Sequence, residues 1–294
     1  MKYNIKLVWL LASVLSILLI NGCSKNTIEV PIPIPEVSYR GIYIDGFNNF
    51  LGDTATENTA LAWCQKQGFK NLSLYGLYIV TNRRGKYESL ANFIKKAKTT
   101  YGMSSVSAVH STEAGFSYSR SYNFSRYIPE EKFDAFTIEN EWWLSNPECD
   151  FECTKSMIDH LNNPTNPEDK LPNEVYIGWF NSKLGTAEPE FLVNNMNRIL
   201  VHCYTDAPRF SYTEERLTQM ATAAKKLGKK PEIVMLFSAE TDFMHAYFEK
   251  NKTFEIAYQE FMQQLIQKSP SLLNDLSFVG YKIFAYTNAQ SAIK

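Results

Sequence analysis

Apolar residues along this chain fall into two kinds of run that alternate. The first kind is short and rich in Val, Ile, Tyr and Phe, at 41–47, 71–75, 104–110, 133–141, 175–180, 199–204, 233–237 and 278–286. Runs of that length and composition predict β-strands. Between them, apolar side chains recur at helical period, as in Leu90, Phe93, Ile94 and Ala97, then Leu217, Met220, Ala221 and Ala224, then Phe254, Ala257, Phe261 and Leu265. Each set makes one stripe on an amphipathic helix. Ser211 and Glu214 stand in capping-box spacing ahead of the second stripe. Gly68 and Gly228 follow helical segments where a C-cap glycine belongs.

Strand–helix alternation calls for a parallel sheet with helices outside it. Eight repeats over about 255 residues match a single closed (β/α)8 barrel of the TIM type. An open doubly wound sheet is the alternative, but the first strand, Gly41-Ile-Tyr-Ile-Asp-Gly-Phe47, opens no helix through a glycine-rich phosphate loop. Because the chain runs only from Tyr286 to Lys294 after the last strand, the closing helix is expected to be short or missing.

The N-terminus changes the compartment. Lys2 and Lys6 precede an uncharged apolar run from Leu7 to Ile20, too short for a comfortable membrane span, and the pattern reads as an export signal over residues 1–22. Ile20-Asn-Gly-Cys23 resembles the lipobox of bacterial lipoproteins. The resemblance implies diacylation of Cys23 and a lipid bilayer as partner through that anchor, with the barrel in the cell envelope. Residues 23–38 carry Pro31, Pro33 and Pro35 alternating with Ile and Val, and read as an extended tether ahead of a barrel domain over 39–294. Without residues 1–22 the chain keeps 28 of its 30 basic residues against 31 acids, a net charge of −3, which excludes a nucleic-acid footprint. An exported chain permits disulfides. Cys149 and Cys153 are expected to close a small loop, with two free thiols as the alternative, whereas Cys64 and Cys203 sit among apolar residues and read as core. The His and Cys residues show no metal spacing, so neither metal nor cofactor is expected, and the chain reads as a monomer.

The fourth run, Phe133-Asp-Ala-Phe-Thr-Ile-Glu-Asn-Glu-Trp-Trp143, carries the chemistry. In a strand, Thr137, Glu139 and Glu141 share one face and Phe136, Ile138 and Asn140 the other. A polar row facing into a barrel and ending in two acids puts a site at the C-terminal mouth, where barrel enzymes keep theirs. The other strand ends would add Asp45, Trp142, Trp143, Trp179, Tyr204, Asp206, Glu240 and Tyr286. Acids among Trp and Tyr suit a sugar cleft: ring faces stack on the C–H faces of pyranoses, while carboxylates bind hydroxyls or move protons. His110 and His202 read first as hydrogen-bonded core residues, and Glu139 equally as a structural acid paired with an Arg inside the barrel.

Asp134, Thr137, Glu139 and Glu141 stand at the spacing of the fourth-strand motif DxxDxDxE, and the segment resembles that of the chitinase-like family 18 glycoside hydrolases. The resemblance implies Glu141 as general acid and Glu139 in the place of the acid that orients the substrate N-acetyl group. It also implies Tyr204 as the tyrosine that helps hold that group. Thr137 stands where the family has a second Asp, and Glu139 is one methylene longer than the Asp it replaces. Asn140-Glu141 with Glu240 also looks like retaining glycosidases of the large barrel clan, with Glu141 as acid/base and Glu240 as nucleophile. Outside the enzymes stand two readings: a barrel that binds glycan without cleaving it, and a structural or assembly lipoprotein whose cleft is incidental.

Overall fold

The computed structural model describes residues 32–180 and 185–293. The export signal, Cys23 and the tether as far as Pro31 lie outside the described residues. Eight strands form a closed parallel barrel in sequence order: β1 (Tyr39–Ile44), β2 (Asn71–Leu74), β3 (Ser105–His110), β4 (Ala135–Ile138), β5 (Asn173–Ile177), β6 (Arg198–His202), β7 (Glu232–Ser238) and β8 (Ser277–Phe284). A helix follows each strand in turn: α1 (Thr54–Lys66), α2 (Tyr87–Thr99), α3 (Glu113–Phe124), α4 (Phe151–Asn162), α5 (Ala187–Asn195), α6 (Phe210–Leu227), α7 (Glu255–Lys268) and α8 (Tyr286–Ala292). The fold is the (β/α)8 barrel that the alternation of runs predicts, and its closing helix, α8, is present with only seven residues. The compact barrel unit begins at Ile34. Ile34 packs on the core, Val37 is buried, and the Ser38 N–H donates to Val279 O, so the end of the expected tether already belongs to the barrel.

Outward-facing strand positions build the main core. Ile42, Leu72, Val106, Phe136, Val175, Ile199, Met235 and Ile283 are all buried against the helices. Those helices bring the stripes seen in the sequence, including Leu90, Phe93, Ile94 and Ala97 on α2 and Leu217, Met220 and Ala224 on α6. Gly228 closes α6 in the left-handed conformation (φ 62°), where a C-cap glycine avoids the Cβ penalty. The capping box does not form. The helix starts earlier, at Phe210, whose N–H is taken by the side-chain Oε1 of Gln264 on α7 (3.1 Å), so a tertiary contact does what Ser211 was expected to do.

Closure requires one irregularity. Between Ile233 and Val234 the pairing of β7 with β8 shifts, skipping Val279. Gly280 sits there at φ +147°, and a Cβ on it would lie 2.0 Å from the Tyr39 carbonyl oxygen. Only glycine accepts both conditions, as bulges commonly demand.

Candidate active site at the barrel mouth

Inward-facing residues stack in tiers, as side chains do in such barrels. Register sets Ser73 beside Ser107, Thr137 beside Glu174, and Leu236 beside Lys282. Lys282 and Glu174 meet in the interior at 2.6 Å, with side chains 0% and 2% exposed. Glu174 is fully satisfied: Oε1 accepts from Tyr39 (3.0 Å) and Arg198 (2.6 Å), and Oε2 from Lys282 and from Thr137 (3.0 Å). Lys282 also donates to Ser73 Oγ at 2.8 Å. Burial alone would raise the Glu174 carboxyl, but Lys282 and then Arg198 outweigh it and pull it down to about 2.

Above this network Tyr43, Val109, Tyr176 and Leu236, one from each odd-numbered strand, pack into an apolar and aromatic floor. Glu139 lies above that floor. β4 ends at Ile138, and the Glu139 N–H continues the ladder by donating to His110 O (3.1 Å). Its Oε2 is sealed from solvent and has no hydrogen-bond partner among the described residues, and the same holds for the Tyr43 hydroxyl. Burial first, and then the charge of Glu141, push the Glu139 carboxyl up to about 8, with Lys282 pulling the other way. The acid that pairs with an Arg inside the barrel is therefore Glu174, through Arg198, and Glu139 has no such partner. A cleft of about 540 Å³ opens beside Glu139, walled by Tyr75, Tyr78, Val109, His110 and Thr112.

Glu141 stands two residues on, beyond the strand and exposed to solvent. The Tyr176 hydroxyl donates to its Oε1 at 3.4 Å and lies 3.3 Å from His202 Nδ1. Tyr204 is stacked near Tyr176 and tilted against Phe243 and Phe284. Burial holds the Tyr204 phenol protonated far up the scale, and the charges of Glu139, Glu240 and Glu141 all add to this. Tyr204 thus joins the Tyr176 ring, whose hydroxyl bonds Glu141, to Phe243 beyond the end of β7. Glu240 accepts from Ser238 Oγ at 2.8 Å. Trp143 leans across the end of β5, its ring 5.3 Å from Tyr176, and a Cβ on Gly178 would come within 2.4 Å of the indole. Gly178 is what lets the indole sit there.

The remaining residues singled out in the sequence divide between the helix layer, the rim and the walls of the mouth. Trp142 is buried against Phe151 of α4 in the helix layer, and the aromatic residue that bonds Glu141 is Tyr176. Tyr286 opens α8 and packs on Trp63 of α1. Asp45 ties β1 to α8, accepting from the Thr287 N–H (2.9 Å) and its hydroxyl. Asp206 is on the rim in an exposed ion pair with Arg209. Trp179 is 40% exposed beside Tyr212. His110 pairs with Ser119 Oγ at 2.8 Å, and burial lowers it to about 4; burial and then Arg216 lower His202 to about 3. Both are neutral, hydrogen-bonded histidines. Cys149 and Cys153 form a disulfide at the start of α4, and Cys64 and Cys203 are free and buried. Among the described residues no three His, Cys, Asp or Glu side chains converge as a metal site, and no helix is long and apolar enough to cross a membrane.

Sequence reasoning missed Glu174, Lys282, Tyr43 and Tyr176. Lys282 carried a usable signal, a lone charge inside an apolar strand, whereas Glu174 fell one residue outside the run that begins at Val175.

No protein-family model and no curated protein matches the sequence. Solved structures do match the fold. A mutant of a plant class V chitinase from Cycas revoluta in complex with (GlcNAc)3 superposes with a TM-score of 0.55 at 11% identity, over 87% of this chain and 97% of that one. A family 18 chitinase double mutant from Cycas revoluta in complex with (GlcNAc)4 gives 0.52 at 10% identity over the same shares. At these identities the likeness is one of fold: the barrel is built like those of family 18 chitinases.

Proposed function

We propose that the mouth of this barrel binds and hydrolyses an oligosaccharide containing N-acetylglucosamine, with Glu141 as general acid. The observation that carries the reading is the pair of acids at the open end of the barrel. One is exposed to solvent, and the other is half-buried with a sealed, unpartnered oxygen beside a cleft of about 540 Å³. A sealed carboxyl without a partner is expensive unless it is neutral or a ligand completes it. The likeness in fold to chitinases in complex with (GlcNAc)3 and (GlcNAc)4 supports the choice of sugar.

In the reaction, Glu141 acts in its protonated form and gives that proton to the glycosidic oxygen as the bond to the anomeric carbon breaks. The acetamido oxygen of the same sugar attacks that carbon, and water then opens the resulting ring while Glu141 takes a proton back. Glu139, whose carboxyl burial and the charge of Glu141 push up to about 8, holds the acetamido group by hydrogen bonding, with Tyr204 beside it. A second reading makes Glu240 the nucleophile, and it is kept because Tyr204 packs both on Tyr176, which bonds Glu141, and on Phe243, three residues past Glu240. That mechanism places the two carboxyls ~5–5.5 Å apart.

Glu141→Gln should lower the release of reducing ends from N-acetylglucosamine oligomers by ~10²–10⁴-fold while leaving their binding intact. Full turnover in Glu141→Gln overturns the proposal, loss of turnover in Glu240→Gln moves the mechanism to the second reading, and wild-type binding without cleavage marks a glycan-binding barrel.

We also propose that residues 1–22 are removed and that diacylated Cys23 holds the barrel at a membrane of the cell envelope. Cys23→Ser should abolish fatty-acid labelling and release the protein from the membrane fraction; a labelled, membrane-bound Cys23→Ser protein would count against the anchor.

A further inference from the structure

Exposed aromatic rings stand on two sides of the mouth, with the acids between them. On the β2–β3 side Tyr75 is 39% exposed and Tyr78 48%, and both line the cleft that ends at Glu139. Tyr118 of α3 backs Tyr78, their ring centroids 5.8 Å apart. On the β5–β6 side Trp179 stands 40% exposed, edge-on to Tyr212 with centroids 5.3 Å apart.

Trp179 is not held by apolar packing alone. The guanidinium of Arg216 lies 4.5 Å from its ring centroid and 5.0 Å from that of Tyr212. Arg216 is 1% exposed and donates to the carbonyls of Gly178 and Tyr212. Among the described residues no carboxylate forms an ion pair with it, and burial lowers it to about 10. A buried guanidinium without an acid is a costly way to fill space. Its cation–π contact and its bond to the carbonyl preceding Trp179 fix one surface ring in one orientation. Preorganising a ring in this way reduces what a ligand must spend on ordering it.

The barrel runs β1 to β8 in order, so β4 with Glu139 and Glu141 lies between the two aromatic groups. A linear ligand reaching from one to the other crosses the acids partway along its length. We infer that the mouth takes an internal stretch of a linear oligosaccharide, with sugar units on Tyr75 and Tyr78 on one side of the acids and on Trp179 on the other. A pocket for a terminal sugar would need rings on one side only. This inference rests on the glycan reading above and adds to it the length and placement of the ligand.

The test is calorimetric titration of Glu141→Gln protein with the dimer and the hexamer of β-1,4-linked N-acetylglucosamine. In that background Tyr78→Ala and Trp179→Ala are made singly and together. Both side chains are exposed, and circular dichroism checks the fold. The hexamer should bind at least tenfold more tightly than the dimer. Each variant should weaken hexamer binding roughly three- to tenfold, the range expected for losing one aromatic contact, and the double variant should lose more than either. Equal affinity for dimer and hexamer, or an effect confined to one of the two variants, overturns the inference while leaving glycan binding standing. Failure of either oligomer to bind overturns the glycan reading, and this one with it.

Discussion

Two glutamates inside this barrel have opposite fates. Glu174 is fully buried and Glu139 is half-buried with one carboxyl oxygen sealed, yet the first is pulled down to about 2 and the second pushed up to about 8. Partners account for the difference. Glu174 has Lys282 and Arg198 at 2.6 Å, with Tyr39 and Thr137 filling its remaining lone pairs. Glu139 lies above the floor of Tyr43, Val109, Tyr176 and Leu236, the charge of Glu141 acts against its own, and Lys282 is already held by Glu174. Buried charge serves structure when every oxygen is answered. Where an oxygen is left open beside a cleft, the group is available to a ligand.

The strongest way to break this contrast is to remove the partner below the floor. Lys282→Met leaves Glu174 with one cation in place of two, and one-sided loss of a buried pair costs about 3–5 kcal/mol. Urea unfolding should show that loss, and the double variant Lys282→Met with Glu174→Gln should recover part of it. A loss below about 1 kcal/mol would mean that the interior pair is no more structural than the acids at the mouth.

Next is the mouth itself, through pH. Glu139 rises from 4.5 to about 8 on folding, so between those values the folded chain holds more protons than the unfolded one, and stability falls as pH rises through that window. The sign is opposite for Glu174, whose stabilisation is present above 4.5 and is lost as pH falls towards 2. It is also opposite for His110 and His202, lowered from 6.5 to about 4 and about 3, which lose stability as pH drops below 6.5. The informative quantity is therefore the difference between Glu139→Gln and wild type. That substitution should raise Tm at pH 8 relative to wild type and leave it little changed at pH 5. An equal shift at both pH values would show that Glu139 is not buried as a neutral acid.

The smallest effect sharpens the geometry of the mouth. Gly178→Ala places a methyl group against the Trp143 indole, and overpacking of this kind costs about 1–3 kcal/mol. Tryptophan fluorescence should shift as the indole leaves its place over the end of β5. An unchanged spectrum and unchanged stability would show that the ring is not held there.

The eight apolar runs forecast the strands because a strand's inward and outward faces alternate at period two, a local property written residue by residue. Thr137 and Glu139 read as inward and Phe136 and Ile138 as outward, and all four are so placed. The helical stripes on α2 and α6 were legible for the same reason, and so were the two cysteines four residues apart. The start of α6 was not, because Gln264, 54 residues along the chain, supplies the acceptor that a local cap would have supplied. Trp142 and Trp143 are neighbours in the chain, yet one enters the helix layer and the other leans over β5. The strand ends at Ile138, before alternation could have assigned them faces.

By itself, then, the sequence determined the barrel, the order of its strands, and a row of acids leaving β4 on the inward face. Which acid would be neutralised and which left open was decided only by tertiary structure. Lys282 reaches Glu174 across 108 residues of chain because closure of the barrel brings β8 round to β5's interior side chains. Side-chain periodicity is set by the backbone of one strand, whereas the pairing of a buried charge depends on the register of all the strands that surround it.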